Sequence, residues 1–268
     1  MLLIDTSYYI FHRYFATLRW YGFQHTLTEA DQGTLCDDRV FMEAYFKHLR
    51  QDLVKFRKKL GTKHSSVFFL RDCPQATIWR NACYGAYKSG RVVSNKLDGR
   101  IFQQTYAWLN EHHPGTMLAQ ECLEADDLAY LVKKHIRAVC PEVRLVFLTN
   151  DNDYLQLCDD GALCVNARLK NIQTRCKYGG AAGIEKRAKI LLGDRSDAIG
   201  SCMTAEVKKT HALASLLALA EPELIEVLQR TSLKAYEQYL RNRTLIDMDY
   251  IPAEHQTRFA ERVQFSCA

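Results

Sequence analysis

Seven carboxylates gathered in four separated clusters carry the chemistry this sequence could do: Asp5; Asp72; Glu124, Asp126 and Asp127; and Asp151 with Asp153. Three of the clusters follow apolar runs of the kind that form buried strands. Met1-Leu2-Leu3-Ile4 runs into Asp5, Ser66–Leu70 into Asp72, and Val143–Leu148 through Thr149-Asn150 into Asp151. In an open parallel sheet the carboxyl ends of the strands share one edge, and sites form there, so the pattern predicts a single acidic pocket. Carboxylates so concentrated repel one another unless cations neutralise them. An all-oxygen ligand set suits hard divalent ions such as magnesium or manganese, and two such ions about 4 Å apart are a common apparatus for phosphodiester hydrolysis. An aspartate after a strand is, on its own, most simply a helix cap, and each of these residues alone admits that reading. Glu124-Ala125-Asp126-Asp127 is harder to assign to capping. Glu124 and Asp127 share a helix face, with Asp126 beside them, which is more negative charge than one helix start requires.

The elements that must hold these residues follow from the hydrophobic pattern. Strands are expected at Met1–Asp5, Ser66–Leu70, Val143–Leu148 and Ala162–Val165, with a short one at Met117–Gln120. Helical periodicity marks about Ser7–Trp20, Phe41–Leu60 (stopped by Gly61), Ile101–Leu109 and the acidic helix Glu124–Ala138. Tyr21–Asp38 is polar and turn-like, and Pro74–Arg100 has glycines, tyrosines and cations without a clean apolar period. From Ile184 onward the pattern is helical, apart from Thr244–Asp247, which is expected to be extended or helical. Strands alternating with helices predict an α/β fold with a mostly parallel central sheet flanked by helices, then a helical tail.

Composition narrows the class further. In 268 residues, 47% of them hydrophobic, there is ample material for a core. No apolar run approaches the roughly 20 residues that span a bilayer, and Met1–Ile4 is too short for a signal peptide, so no membrane partner is expected. Ten cysteines lie scattered without a C-x-x-C pair, which indicates neither a zinc site nor a disulfide framework. Thiols at Cys73, Cys83, Cys122 and Cys158 suit a reducing, cytoplasmic compartment. The net charge of +5 gains meaning if the acids are sequestered in one pocket, because the remaining surface is then more basic. Clusters at Lys58-Lys59, Lys88 to Arg100, Lys133-Lys134, Lys186 to Lys189 and Lys208-Lys209 would suit a nucleic-acid substrate, although each alone is an ordinary solvated face.

Five segments, Leu3-Ile4-Asp5-Thr6-Ser7, Trp79-Arg80 through Tyr87-Lys88-Ser89-Gly90-Arg91, Glu124-Ala125-Asp126-Asp127, Thr149-Asn150-Asp151-Asn152-Asp153 and Leu192-Gly193-Asp194-Arg195-Ser196-Asp197, occur in a recognisable order and spacing. In them the chain resembles the flap endonuclease / 5′–3′ exonuclease family, whose core is related to PIN domains. The resemblance covers about residues 1 to 212, and the tail Arg243–Pro252 is similar to the ribonuclease H branch of T-even phages. It implies a PIN-like core over residues 1–180 with a helical arch or gate at about 74–100, and a helix–turn–helix type DNA-binding region over 181–268. It implies two Mg2+ or Mn2+ ions. Asp5, Asp72, Glu124, Asp126 and Asp127 would hold the first, directly or through water; Asp151 and Asp153 would lie between the ions or near the second; Asp194 and Asp197 would serve the second. Lys88 would reach the scissile phosphate from the foot of the arch and Arg91 would make a further phosphate contact. Arg13, Arg80, Lys208 and Lys209 would meet nucleic acid, with Tyr84 and Tyr87 either stacking on bases or packing the arch helix.

The family resemblance also implies a substrate and setting: DNA with a 5′ flap or 5′ end, or an RNA–DNA primer junction, in a bacterial or phage- or virus-infected cytoplasm. A sliding clamp or single-strand-binding protein is the expected partner class. One departure stands out. After Asp197, the family's glycine-rich helix–turn–helix is replaced by Ala198–Thr210, which lacks the later glycines and so puts backbone approach to phosphate, and a monovalent cation there, in doubt. Two alternatives stay open at this point: a PIN-type single-strand ribonuclease, and a non-catalytic DNA-end-binding protein.

Overall fold

The structure, a computed structural model, describes residues 1–26, 33–63, 66–91, 97–263 and 265. Strand β1 (Leu2–Asp5) is buried along its whole length, as expected of a central parallel strand covered on both faces. It pairs in parallel with β2 (Val67–Leu70) on one side and β4 (Leu145–Leu148) on the other. β3 (Met117–Leu118) extends the sheet beyond β2, and β5 (Ala162–Val165) extends it beyond β4. The five strands are all parallel, in the order β3-β2-β1-β4-β5.

Register decides where the acids end up. Asp5 is level with Leu70, Leu70 with Leu118, Ile4 with Leu148, and Leu148 with Val165. The strands therefore stop together, and the acidic segments leave from one edge. The strand order reverses between β1 and β4, the switch point at which open α/β sheets form their crevice.

Alternation along β1 divides the core. Leu3 points to a layer built with α5 (Ala125–Val139), through Leu128, Val132 and Ile136. Leu2 and Ile4 point to the opposite layer, where α1 (Thr6–Gly22), α2 (Arg39–Leu60) and α4 (Arg100–His112) contribute Tyr9, Tyr14, Tyr45, Leu49, Phe56 and Leu109. Helix ends follow their signals: Asp38 caps α2 by accepting from the Phe41 amide at 2.8 Å, and Gly61 closes it at φ 64°.

Beyond β5 the described residues form helices and turns: α6 (Ala182–Leu192), α7 (Ala205–Thr210), α8 (Leu213–Ala218), α9 (Glu221–Thr231), α10 (Leu233–Ile246) and α11 (Ala253–Arg262). Their core includes Leu191, Leu216, Leu228, Tyr239 and Ile246, and it also takes in Ile78 and Tyr87 from the segment after β2. The tail then returns to the sheet, where Met248, Ile251 and Phe259 enter the layer under α5. Residues 244–246 form the last turn of α10 and not an extended segment. Packing of Leu245 and Ile246 into the helical core outweighs the β-branched local preference.

The segment expected to be a mobile gate is anchored over Pro74–Arg91. It contains a 3-10 turn (Gln75–Thr77) and α3 (Trp79–Cys83), with Ile78, Trp79, Arg80 and Tyr87 buried. Its partners are charged and lie far off in sequence, which is why no local apolar period reveals them. Residues 92–96 of the expected arch, Lys96 among them, lie outside the described residues. The thiol reading holds for eight cysteines, which are free, whereas Cys140 is disulfide-bonded. No helix among the described residues is long and apolar enough to cross a membrane.

The loop carrying Asp194 and Asp197 is closed by backbone contact. Asp194 and Ile199 exchange amide–carbonyl bonds at 3.0 and 2.8 Å, and fully buried Asn242 of α10 donates to the Ile190 and Gly200 carbonyls at 2.7 and 2.8 Å. Gly193 turns the chain at φ 74°, and a Cβ there would lie 2.4 Å from the carbonyl oxygens of Ile199 and Gly200. Gly193→Ala should therefore cost about 2 kcal/mol or more of folding stability, to be read from the midpoint of chemical denaturation; an unchanged midpoint would refute the close approach.

Candidate active site

At the carboxyl edge of the sheet the acids open onto one cleft of about 690 Å³, lined among others by Asp5, Asp72, Glu124, Asp126, Asp151, Asp153 and Asp194, and by Lys88, Arg91 and Lys189. Each acid is held by its own element. Asp5 ends β1 and also caps α1, accepting from the Tyr8 amide at 3.0 Å, while Thr149 beyond β4 donates its hydroxyl to the other oxygen at 2.9 Å. Asp72, just beyond β2, accepts from Ser7 Oγ at 2.5 Å and from the Ala125 amide at 2.8 Å. Asp151 caps the 3-10 turn Asn152–Leu157 through the Asp153 amide at 3.0 Å. The capping role and the place in the cleft thus coincide, because the same strand ends supply both.

Burial and mutual repulsion load these groups. Asp5 is pushed up to about 7, first by burial and then by Asp72, with Asp151 adding to it. Burial and the neighbouring Asp127 drive Asp126 well above the usual carboxylate range. Burial also raises Asp151, against the pull of Lys189 and Lys88 and with the push of Asp197 and Asp194. Asp151 therefore interacts both with Asp5 and with Asp194 and Asp197, and Asp153, Asp194 and Asp197 bring oxygens within 4.8 Å of one another. Oxygen donors whose ionised forms disfavour one another are completed by a hard cation, and the donor set fits divalent ions.

Basic residues already offset part of this charge. Lys88 pairs with Glu124 and lies 3.9 Å from Asp197. Burial alone would lower its pKa, but these acids outweigh it and keep the ammonium charged. Lys88 adopts φ 56°, and its amide donates to the Asp197 carbonyl at 3.0 Å. A non-glycine residue in the left-handed region is strained and is held there by its surroundings. Arg91, half-exposed, donates to Asp197 at 2.6 Å. Burial opposes ionisation of Asp194, but the Lys189 ammonium at 2.8 Å and the Ser196 donors prevail and hold it at about 2.

Several residues expected at the substrate surface sit elsewhere. Arg80 is 2% exposed, and its guanidinium is spent on Glu124 at 2.9 Å, on both oxygens of Asp127 at 2.7 and 2.9 Å, and on the Leu245 carbonyl at 2.7 Å. It braces the acidic helix against α10 and does not present itself to nucleic acid. Asp127, fully buried, accepts further bonds from the Trp79 indole at 3.0 Å and the Glu124 amide at 3.1 Å. It does not line the cleft, although Glu124, Asp126 and Asp127 lie close together. Tyr87 is buried and donates to Glu124 at 2.9 Å, so its ring has no face free for a base. Tyr84 packs in the helical core, with the Arg241 guanidinium 5.2 Å above its ring and its hydroxyl on the Ala198 carbonyl at 3.3 Å. Arg13 pairs with Asp52 between α1 and α2 and does not line the cleft. Lys208 and Lys209 are exposed in the last turn of α7.

Sequence reasoning missed Lys189, which bridges Asp153 and Asp194. It had counted only as part of a basic run; the available signal was its place in the last turn of a helix stopped at Gly193, one step before Asp194. Ser7 and Thr149 were missed as well, because uncharged hydroxyls give no signal until a register is known.

Comparison with known proteins places this geometry. No curated protein sequence matches the chain. Solved structures do. The bacteriophage T5 flap endonuclease, in a pseudo-enzyme–product complex with DNA and metal ions, superposes with a TM-score of 0.62 at 15% identity, over 97% of this chain and 96% of that one. The T5 5′-exonuclease with bound divalent zinc matches with a TM-score of 0.59 at 14% identity, over 97% of each chain. At such identities the likeness establishes the fold: an α/β molecule with a parallel sheet flanked by helices, of the PIN-like flap endonuclease type. The family model for the 5′-3′ exonuclease N-terminal resolvase-like domain matches residues 1–187. That match takes in the sheet, the acids from Asp5 to Asp153 at its carboxyl edge and the anchored segment after β2, and by it the chain belongs to the 5′-3′ exonuclease family.

Proposed function

We propose that this protein is a divalent-metal-dependent 5′ nuclease that hydrolyses phosphodiesters near a 5′ end, as a 5′–3′ exonuclease, a flap endonuclease or both, in primer removal or repair. The observation that carries the reading is the convergence of Asp5, Asp72, Asp126 and Asp151 with Asp153, Asp194 and Asp197 at the switch point of the sheet, in a cleft that also holds Lys88 and Arg91. Asp5, Asp72, Asp126 and Asp151 would hold one Mg2+ or Mn2+; Asp153, Asp194 and Asp197, with Asp151 between, would hold a second. Ions bound there supply Lewis acidity at the scissile phosphate and a water of lowered pKa.

The protein's own residues position and balance charge. Lys88, at the foot of the segment after β2, offsets charge developing on the phosphoryl oxygens, and Arg91 gives a second contact. Glu124, tied to Arg80, Tyr87 and Lys88, orients Lys88 and is not itself required to bind an ion. The helical region from Ala182 onward would carry the duplex, with exposed Lys208 and Lys209 meeting phosphates by side chain where the glycines of other family members are missing. The DNA in the T5 complex supports the substrate class. A fluorescent 5′-flap duplex should be cut with Mg2+ and left intact with chelator; cutting of single-stranded RNA alone would favour the ribonuclease reading.

Asp151→Asn should abolish cleavage while leaving affinity for flap DNA within a few-fold, since removing a negative charge does not weaken attraction to phosphate. Cleavage at the wild-type rate would remove Asp151 from the mechanism. Lys88→Ala should lower the single-turnover rate by about 100-fold or more, with affinity falling only by about one phosphate contact. Lys208→Ala should instead weaken duplex binding and flatten its salt dependence, with bound-state chemistry near normal. Rates and salt-dependent affinities measured on both variants decide the assignment, and a purely affinity-based defect in Lys88→Ala would demote it to an ordinary phosphate contact.

A further inference from the structure

Tyr154 lines the cleft and packs its ring beside Phe147, with centroids 6.0 Å apart. The residue is 1% exposed, and its hydroxyl is buried without a hydrogen-bond partner among the described residues. The charges that act on that hydroxyl are those of Asp5, Asp126, Asp72 and Asp151, the acids that gather beneath one side of the cleft. A buried hydroxyl left without a partner is costly, and phenylalanine would fill the same apolar space without that cost. None of the four carboxylates accepts from it: Asp5 accepts from Tyr8 and Thr149, Asp72 from Ser7 and Ala125, Asp126 from the Asp127 amide and Asp151 from the Asp153 amide.

We propose that the Tyr154 hydroxyl is a positioning group for the divalent ion of the Asp5, Asp72, Asp126 and Asp151 cluster, donating its proton to a water that the ion carries. The inference rests on the divalent-ion reading of the cleft. Magnesium and manganese keep several waters when carboxylates bind them, and such a water supplies the acceptor that the protein withholds. Hydrogen bonds from an outer layer fix the ligand shell of a metal and raise its affinity. A tyrosine seated in the core beneath the acids is well suited to that, because its ring cannot move without disturbing Phe147 and the strand below it.

Calorimetric titration of the chelator-treated full chain with Mn2+, in the absence of DNA, tests this, together with chemical denaturation in chelator. Tyr154→Phe should weaken one class of Mn2+ site by about 10-fold or more, leave the other class unchanged, and fold in chelator with stability equal to or above that of the wild type. Unchanged Mn2+ affinity in Tyr154→Phe, with normal binding in the wild type, overturns the inference alone. A matching loss of stability in chelator also overturns it, since the hydroxyl would then have a partner in the protein itself. A wild-type chain that binds no Mn2+ overturns the divalent-ion reading and this inference with it.

Discussion

Repulsion among carboxylates gathered at one sheet edge is the constraint on which the rest of this structure depends. The parallel register brings them there, and burial makes their charges harder to bear. The protein answers by placing cations beside some of these acids and not others. Arg80 serves Asp127 and Glu124 in the interior, Lys88 serves Glu124 near the surface of the cleft, Arg91 serves Asp197, and Lys189 serves Asp153 and Asp194. Asp5, Asp126 and Asp151 are left with raised pKa values, and they define the place where charge is still owed. A buried ion pair such as Arg80 with Asp127 gives little net stability, but breaking it leaves an uncompensated charge and is strongly destabilising.

The same distribution separates acids that look alike in the sequence. Glu124, Asp126 and Asp127 fall within one turn, yet Asp127 is sealed by Arg80, Trp79 and a backbone amide, Glu124 faces three donors, and Asp126 is driven well above the usual carboxylate range by burial and by Asp127. The difference comes from residues that α3 and its flanks deliver from 36 to 48 positions away.

Much of this was legible in the sequence. Uninterrupted apolar runs such as Leu2–Ile4 and Leu145–Leu148 reveal buried parallel strands, and the acids that end them are readable as a shared edge, because strand polarity fixes where carboxyl ends lie. The end of helix α2 could be set by Gly61, whereas its start at Arg39, capped by Asp38, lies two residues ahead of the apolar periodicity that begins at Phe41. Positions whose partners are polar and remote were not legible. Arg80 in a basic-aromatic stretch reads as a phosphate contact, and only the fold shows that it is a buried counter-charge. The last turn of α10 at 244–246 was ambiguous because its helix is decided by packing of Leu245 and Ile246. Lys189 was hidden for the opposite reason: a lysine among lysines is unremarked until its helix is seen to stop at Gly193.

The return of the chain after α10 has a further consequence. Met248, Ile251 and Phe259 share one apolar layer with Leu128 and Val132 of the acidic helix, while Ile78 and Tyr87 of the core segment sit in the helical layer with Leu191 and Tyr239. Each half thus completes the interior of the other. Unfolding of either half strips cover from the other, so neither has an interior that is complete without its neighbour.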